Sequence, residues 1–142
     1  MALDTLPITN IRHLIPQKIP FVMVSSLLDF SDSKVVSSFK VSDTDLFYNN
    51  NQLLESGVIE NMAQTVALHT GYDYYLKGEE APTGYIGSIK KVEIFELPKL
   101  NDVIITEVNI LHEFNGVTMV EAKVFNSDKT EIASAQMKTV IA

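Results

Sequence analysis

The sequence predicts an α+β domain in which an antiparallel sheet wraps around one long helix. Three observations lead there. A segment from about Leu53 to Leu76 has helical spacing yet is apolar over much of its circumference, through Val58, Ile59, Met62, Ala63, Val66, Ala67 and Leu68, so the helix must be enclosed on several sides. The chain reads as two strands before this helix and four after it. With 142 residues, 46% of them apolar, it is long enough for one core, and residues 1–142 are read as a single domain.

Taken in order, Ile8 to Leu14 predicts a short amphipathic helix, with Thr9 or Asn10 as its cap. Pro16 ends it, and Pro20 keeps the following residues extended, so the stretch reads as a lid or a segment leading into a site. Phe21 to Phe30 is an apolar run, Ser31 to Ser33 a turn, and Lys34 to Val41 sets Val35, Ser37, Phe39 and Val41 against Lys34, Val36, Ser38 and Lys40. Asp43 to Gln52 is polar and turn-rich, and the long helix follows. Beyond Gly78 to Pro82 come four strands: Tyr85 to Phe95, Val103 to His112, Val117 to Phe125 and Ile132 to Ile141. Asn115 and Gly116 supply the positive-φ pair of a two-residue hairpin turn, and Asn126 to Lys129 makes a longer connection. A sheet of this kind has edges that need cover, and edge-to-edge pairing of two copies would remove one from each, so a dimer is expected.

Eleven basic against 18 acidic residues give a net charge of −7 without a basic run, which argues against nucleic acid as a partner. An acidic protein partner would need a local basic rim, for which Lys90 and Lys91 are the only adjacent basic pair. Without cysteine there are no disulfides, thiolate metal sites or cysteine nucleophiles, and three scattered histidines lack metal-ligand spacing. No cofactor or metal is expected. Met1 to Asn10 has no cationic segment followed by an apolar run, and no stretch approaches the roughly 20 apolar residues of a membrane span, so a soluble cytoplasmic protein is expected.

Two segments carry a family resemblance. LIPQKIPFVMV at Leu14 to Val24 resembles the leading segment of bacterial 3-hydroxyacyl-acyl-carrier-protein dehydratases, and IENMAQT at Ile59 to Thr65 resembles their central-helix motif. GYIGSIKKVEIFELP, Gly84 to Pro98, is similar to their third strand, and the order of elements agrees over nearly the whole chain. The helix motif is the specific part, and it is also similar to that of dehydratases in polyene pigment pathways. The resemblance implies a hot-dog fold, a dimer, an acyl-pantetheine substrate on acyl carrier protein or coenzyme A, and a place in fatty acid or polyene-type metabolism. It also implies a histidine from one subunit facing a helix carboxylate from the other, with a helix N-terminus polarising the thioester carbonyl.

Dehydration of a 3-hydroxyacyl thioester needs a base for the α-proton and an acid for the departing hydroxyl. Glu60 matches the helix carboxylate. Within an apolar helix its burial would be costly unless hydrogen-bonded and would suit an acid role, and Gln64, four residues on, lies on nearly the same face and can orient it; otherwise the two form a solvated polar strip. Leu46 and Phe47 stand where the resemblance implies histidine followed by phenylalanine, and Gln17 stands where the leading segment commonly has histidine. No histidine occurs between His13 and His69, and Glu55 lies near a position the family gives to glycine. His69, nine residues from Glu60, falls on the opposite side of the helix and reads as a hydrogen-bonded core or interface residue; His112 reads as solvated. His13 is then the candidate replacement base, with a surface role as its alternative. Ser56 and Gly57 either present N–H groups to the thioester or act as cap and packing site. Together with Gln17 and Phe47 they are the candidate substrate-binding residues. Tyr72, Tyr74 and Tyr75 read as core and interface aromatics rather than an acyl tunnel.

Three functions fit this inventory. One is a dehydratase, with a relocated base or with the histidine supplied by a second chain. Another is an acyl-thioesterase that uses the helix carboxylate without histidine. The last is a non-catalytic acyl-binding subunit.

Overall fold

The computed structural model describes residues 5–141; residues 1–4 and 142 lie outside it, and with them the first part of the N-terminal reading. The strands are β1 (Ser26–Ser31), β2 (Lys34–Lys40), the short pair β3 (Tyr48–Asn49) and β4 (Gln52–Leu53), and, after helix α1 (Glu55–Leu76), β5 (Gly84–Ile94), β6 (Val103–Phe114), β7 (Val117–Phe125) and β8 (Glu131–Ile141). Six of them form one antiparallel sheet in the order β1-β2-β6-β7-β8-β5.

The alternation in the sequence becomes the inner face of this sheet. Val35, Ser37 and Phe39 of β2, Ile104, Thr106 and Val108 of β6, Val120, Ala122 and Val124 of β7, and Ala133, Ala135 and Met137 of β8 are buried. Helix α1 lies in the resulting concavity, with Val58, Met62, Val66 and Leu68 in the same core. The helix packs chiefly against β2 and β6, and a sheet curled around a helix in this way is the hot-dog architecture. Asn115 and Gly116, at φ 53° and 75°, form the predicted hairpin turn between β6 and β7. In the polar stretch before the helix, where the sequence predicts only turns, Asn50 and Asn51, at φ 50° and 66°, close the β3–β4 hairpin.

Two N-terminal expectations are corrected. Ile8 to Leu14 is not a helix. The N–H and C=O of Ile8 both pair with Leu27 at 2.9 Å, which holds Ile8 extended, and only the Leu14 N–H to Ile11 C=O bond (2.9 Å) closes a turn. The apolar run from Phe21 joins the sheet only at Ser26, because the Phe21 carbonyl and both backbone groups of Met23 are claimed by side chains of α1. Ile8 to Val24 is therefore an arm laid along the helix. It approaches most closely at Gly71, where an added Cβ would stand 1.8 Å from the Leu14 carbonyl oxygen. Among the described residues no helix is long and apolar enough to cross a membrane.

Candidate active site

Each polar residue of the IENMAQT stretch has a defined task. Asn61, Gln64 and Thr65 are fully buried, which demands hydrogen bonds. Gln64 accepts the Met23 N–H at Oε1 (2.7 Å) and donates from Nε2 to the Phe21 carbonyl (2.8 Å) and to Glu60 Oε1 (3.0 Å). Asn61 donates to the Met23 carbonyl (2.7 Å) and accepts from the Thr106 hydroxyl (2.5 Å). The Thr65 hydroxyl donates to the Asn61 carbonyl (2.8 Å), so it is Ser37, 2.7 Å away, that donates to Thr65. Two helix amides thus stand in for a neighbouring strand at Met23, satisfying both its backbone groups. The same network fixes Glu60, which is half-buried.

Glu60 looks into a cavity of about 520 Å³, a size typical of small-molecule sites. Its walls are the arm from His13 to Gln17, the helix face bearing Ala63, Ala67 and Gly71, the loop from Glu80 to Thr83, the starts of β5 and β7 and the end of β8. The small helix residues keep this space open. Three predicted site residues, Glu60, His13 and Gln17, therefore share one cavity, and Gln64 supports it from behind. His13 is exposed and meets the Tyr75 ring edge-on, with centroids 5.0 Å apart.

The other predicted residues stand elsewhere. Ser56 is exposed in the first turn of α1 and does not line the cavity, and no side chain caps that end. Gly57 is buried at the start of α1 in close packing, the second of its two readings. Its N–H bonds the Leu54 carbonyl at 2.9 Å, and an added Cβ would lie 2.6 Å from Leu53 Cδ1 and 3.0 Å from Phe47 Cβ. Phe47 is half-buried against the core, and its carbonyl accepts the Leu54 N–H (2.8 Å). Leu46 is 46% exposed, outside the cavity lining. Just before it, burial pushes the Asp45 carboxyl above its ordinary range, opposed by the Ser42 N–H bond and aided by Asp43.

His69 bonds the Ser31 carbonyl through Nε2 (2.7 Å) and stacks on Phe30, which gives it the structural part expected of it. His112 is exposed. Tyr72 is buried edge-on to Phe30 and stacks with Tyr75, while Tyr74 lies beneath the Lys77 ammonium. The described residues hold no cluster of His, Asp or Glu fit for a metal ion. Sequence reasoning passed over Asn61, Thr65 and Gly71. The signal was there for the first two, since polar residues spaced i, i+3, i+4 with Gln64 inside an apolar helix imply a bonded network.

Comparison with known proteins agrees with this geometry. The family model described as ApeP dehydratase, ApeP-like, matches residues 9–142. The chain belongs to the ApeP-like dehydratase family. This ApeP-like chain is 29% identical over 150 residues to the 3-hydroxyacyl-[acyl-carrier-protein] dehydratase FabZ of Vibrio atlanticus (strain LGP32), covering 94% of this chain and 92% of that one. Its fold is similar to the dehydratase heterocomplex ApeI:P from Xenorhabdus doucetiae, with TM-score 0.87 at 19% identity over 98% of this chain and 93% of the other. It is also similar to a hypothetical thioesterase protein with coenzyme A from Streptococcus pneumoniae TIGR4, with TM-score 0.65 at 14% identity over 82% and 86% of the two chains. It is thus a dehydratase-like hot-dog protein, related to FabZ and ApeP.

Proposed function

We propose that this chain binds a 3-hydroxyacyl group, carried as a thioester on the pantetheine arm of acyl carrier protein or coenzyme A, and takes part in its dehydration at Glu60. The observation that carries the reading is Glu60 itself, a helix carboxylate tethered by Gln64 in the wall of a ligand-sized cavity. In the reaction a proton leaves C2, the C3–O bond breaks as the hydroxyl is protonated, water departs and the C2=C3 bond forms. Two proton-transfer groups are required, and Glu60 is one. A homodimer presents Leu46 from both copies, so the second group comes from another source. His13 lines the same cavity. A relative solved as a heterocomplex supports the other source, a histidine carried by a different chain.

The dimer is proposed on the edge strand β5, where Tyr85 and Phe95 are each 61% exposed and Ile86, Ile89 and Val92 are exposed with them. The cavity reaches Tyr85 and Ile86, so a partner on this edge would help to wall it. The same reading takes the protein to act in the cytoplasm, in fatty acid or polyene-type acyl assembly.

The test is to incubate the chain, alone and with a histidine-bearing dehydratase subunit, with 3-hydroxyacyl and saturated acyl thioesters, following enoyl product and free thiol by mass spectrometry. Enoyl formation that falls about 10²- to 10⁴-fold in Glu60→Gln supports the proposal. Loss in His13→Gln of the chain alone assigns the base to His13; activity only with the second subunit assigns it there. Thiol release without enoyl product would make the chain a thioesterase, and binding without turnover in either format an acyl-binding subunit.

A further inference from the structure

The cavity beside Glu60 has a direction. The residues of α1 that line it are Glu60, Ala63, Val66, Ala67, Thr70 and Gly71. At about 100° per residue they fall within an arc of roughly 140° on the helix, from Val66 round to Gly71, and Ala63 and Ala67 lie inside that arc rather than at its rims. Both alanines therefore aim their methyl groups into the space, and both are only half-buried. Helix geometry also sets their distances from the carboxylate. At about 1.5 Å per residue, Ala63 stands about 4.5 Å and Ala67 about 10 Å along the axis from Glu60.

The wall changes its chemistry along this line. From Ala63 to Ala67 the helix side chains that line it are apolar, and the arm, which runs antiparallel to α1 from Leu14 at Gly71 to Phe21 at Gln64, adds Ile15 and Pro16. Beyond Ala67 come Thr70 and, past the end of the helix, Glu80 and Thr83. The amides and hydroxyls of a pantetheine arm need polar partners, and the side chains between Ala63 and Ala67 offer none, whereas a run of methylenes needs only burial. An extended chain advances about 1.2 Å per bond, since three backbone bonds span up to about 3.6 Å, so the 10 Å to Ala67 is about eight bonds.

We propose that the substrate's acyl chain lies along α1 from Glu60 toward Gly71, and that Ala67 sets the length the cavity accepts. This rests on the dehydratase-type reading, which puts C3 at Glu60, and it narrows the substrate class to medium chains. With C3 there, about the eleventh carbon comes level with Ala67. Shorter chains leave apolar wall uncovered, and longer ones push methylenes against Thr70 and the Glu80 loop, where burial gains nothing further.

The test is calorimetric, with 3-hydroxyacyl-pantetheine analogues in which an amide replaces the thioester, so that no ligand turns over. For the unmodified protein the dodecanoyl analogue is expected to bind at least tenfold more tightly than the butanoyl one, as each buried methylene adds about fourfold, and the tetradecanoyl analogue to bind within about twofold of the dodecanoyl. Ala67→Leu points its side chain back toward the N-terminal end of α1, across the path of the chain. It should weaken the dodecanoyl analogue at least tenfold and leave the butanoyl one within about twofold, with Ala67→Val showing the same selectivity to a smaller extent. Because the added carbons enter open space, both variants should melt within about 3 °C of the parent. The proposal is overturned if the unmodified protein does not distinguish the lengths, if the variants weaken every length alike, which would put the pantetheine arm there, if they weaken none, or if they melt far below the parent, which would make Ala67 a packed position. Turnover is scored separately: a protein with this length profile that eliminates no water retains the inference and loses the dehydratase reading, and enoyl formation without a length profile does the reverse.

Discussion

Gln64 is where fold and chemistry meet in one side chain. Replacing it by leucine strands the Met23 N–H and the Phe21 carbonyl in the interior and releases Glu60, whereas the buried volume hardly changes. The expected loss is about 2–4 kcal/mol, read as a lower denaturation midpoint, with reduced turnover under conditions where the variant remains folded. Gln17→Leu is expected to do the opposite to stability. The contrast follows from bonding, since one glutamine satisfies the backbone and the other leaves a buried oxygen unpaired. The pairing of Glu60 with Gln64 was legible in the sequence, because four residues along a helix is a local distance. The partners of Gln64 on the arm were not, being 41 and 43 residues away.

Among the elements, the arm from Ile8 to Val24 departs furthest from its sequence pattern. Its apolar spacing suggests a helix, but its backbone groups find partners on β1 and on helix side chains, and such long-range pairing overrides a weak local preference. Gly71 makes the seating of the arm feasible. Gly71→Ala puts a methyl 1.8 Å from the Leu14 carbonyl oxygen, and the obstacle is backbone, which cannot rotate away. We expect the arm to lift from α1. Hydrogen exchange should then show the Met23 amide losing protection, and the thermal midpoint should fall by an amount matching about 2–3 kcal/mol, even though alanine is the better helix former. Protection of Met23 unchanged from the parent protein would refute that seating.

For the whole molecule the deciding feature is the unpaired edge of β5. Register breaks between Ile86 and Ser88 and between Lys90 and Glu93, with Lys91 at φ 53°, disturb a strand that still exposes a row of apolar side chains. If β5 is the dimer seam, Ile89→Glu combined with Val92→Lys should convert the dimer to monomer by sedimentation at micromolar concentration, while leaving the far-ultraviolet circular dichroism of the chain unchanged. The cavity at Tyr85 would lose a wall, and affinity for acyl-pantetheine should fall with the dimer. A variant that stays dimeric places the seam elsewhere.

Composition and periodicity by themselves determined the order of the six sheet strands along the chain, the enclosed central helix, the Asn115–Gly116 turn and the presence of a carboxylate with its amide on one helix face, because each of these is written in residues a few positions apart. The tertiary structure decided the rest. It made the arm extended, gave Asn61 and Gln64 the backbone of Met23, turned Gly57 and Gly71 into close-approach sites, brought His13 and Gln17 to the walls of the Glu60 cavity and buried the Gln17 amide oxygen without a partner. Those outcomes depend on which distant segments pack together, and burial, which sets the cost of an unpaired polar atom, exists only once they have.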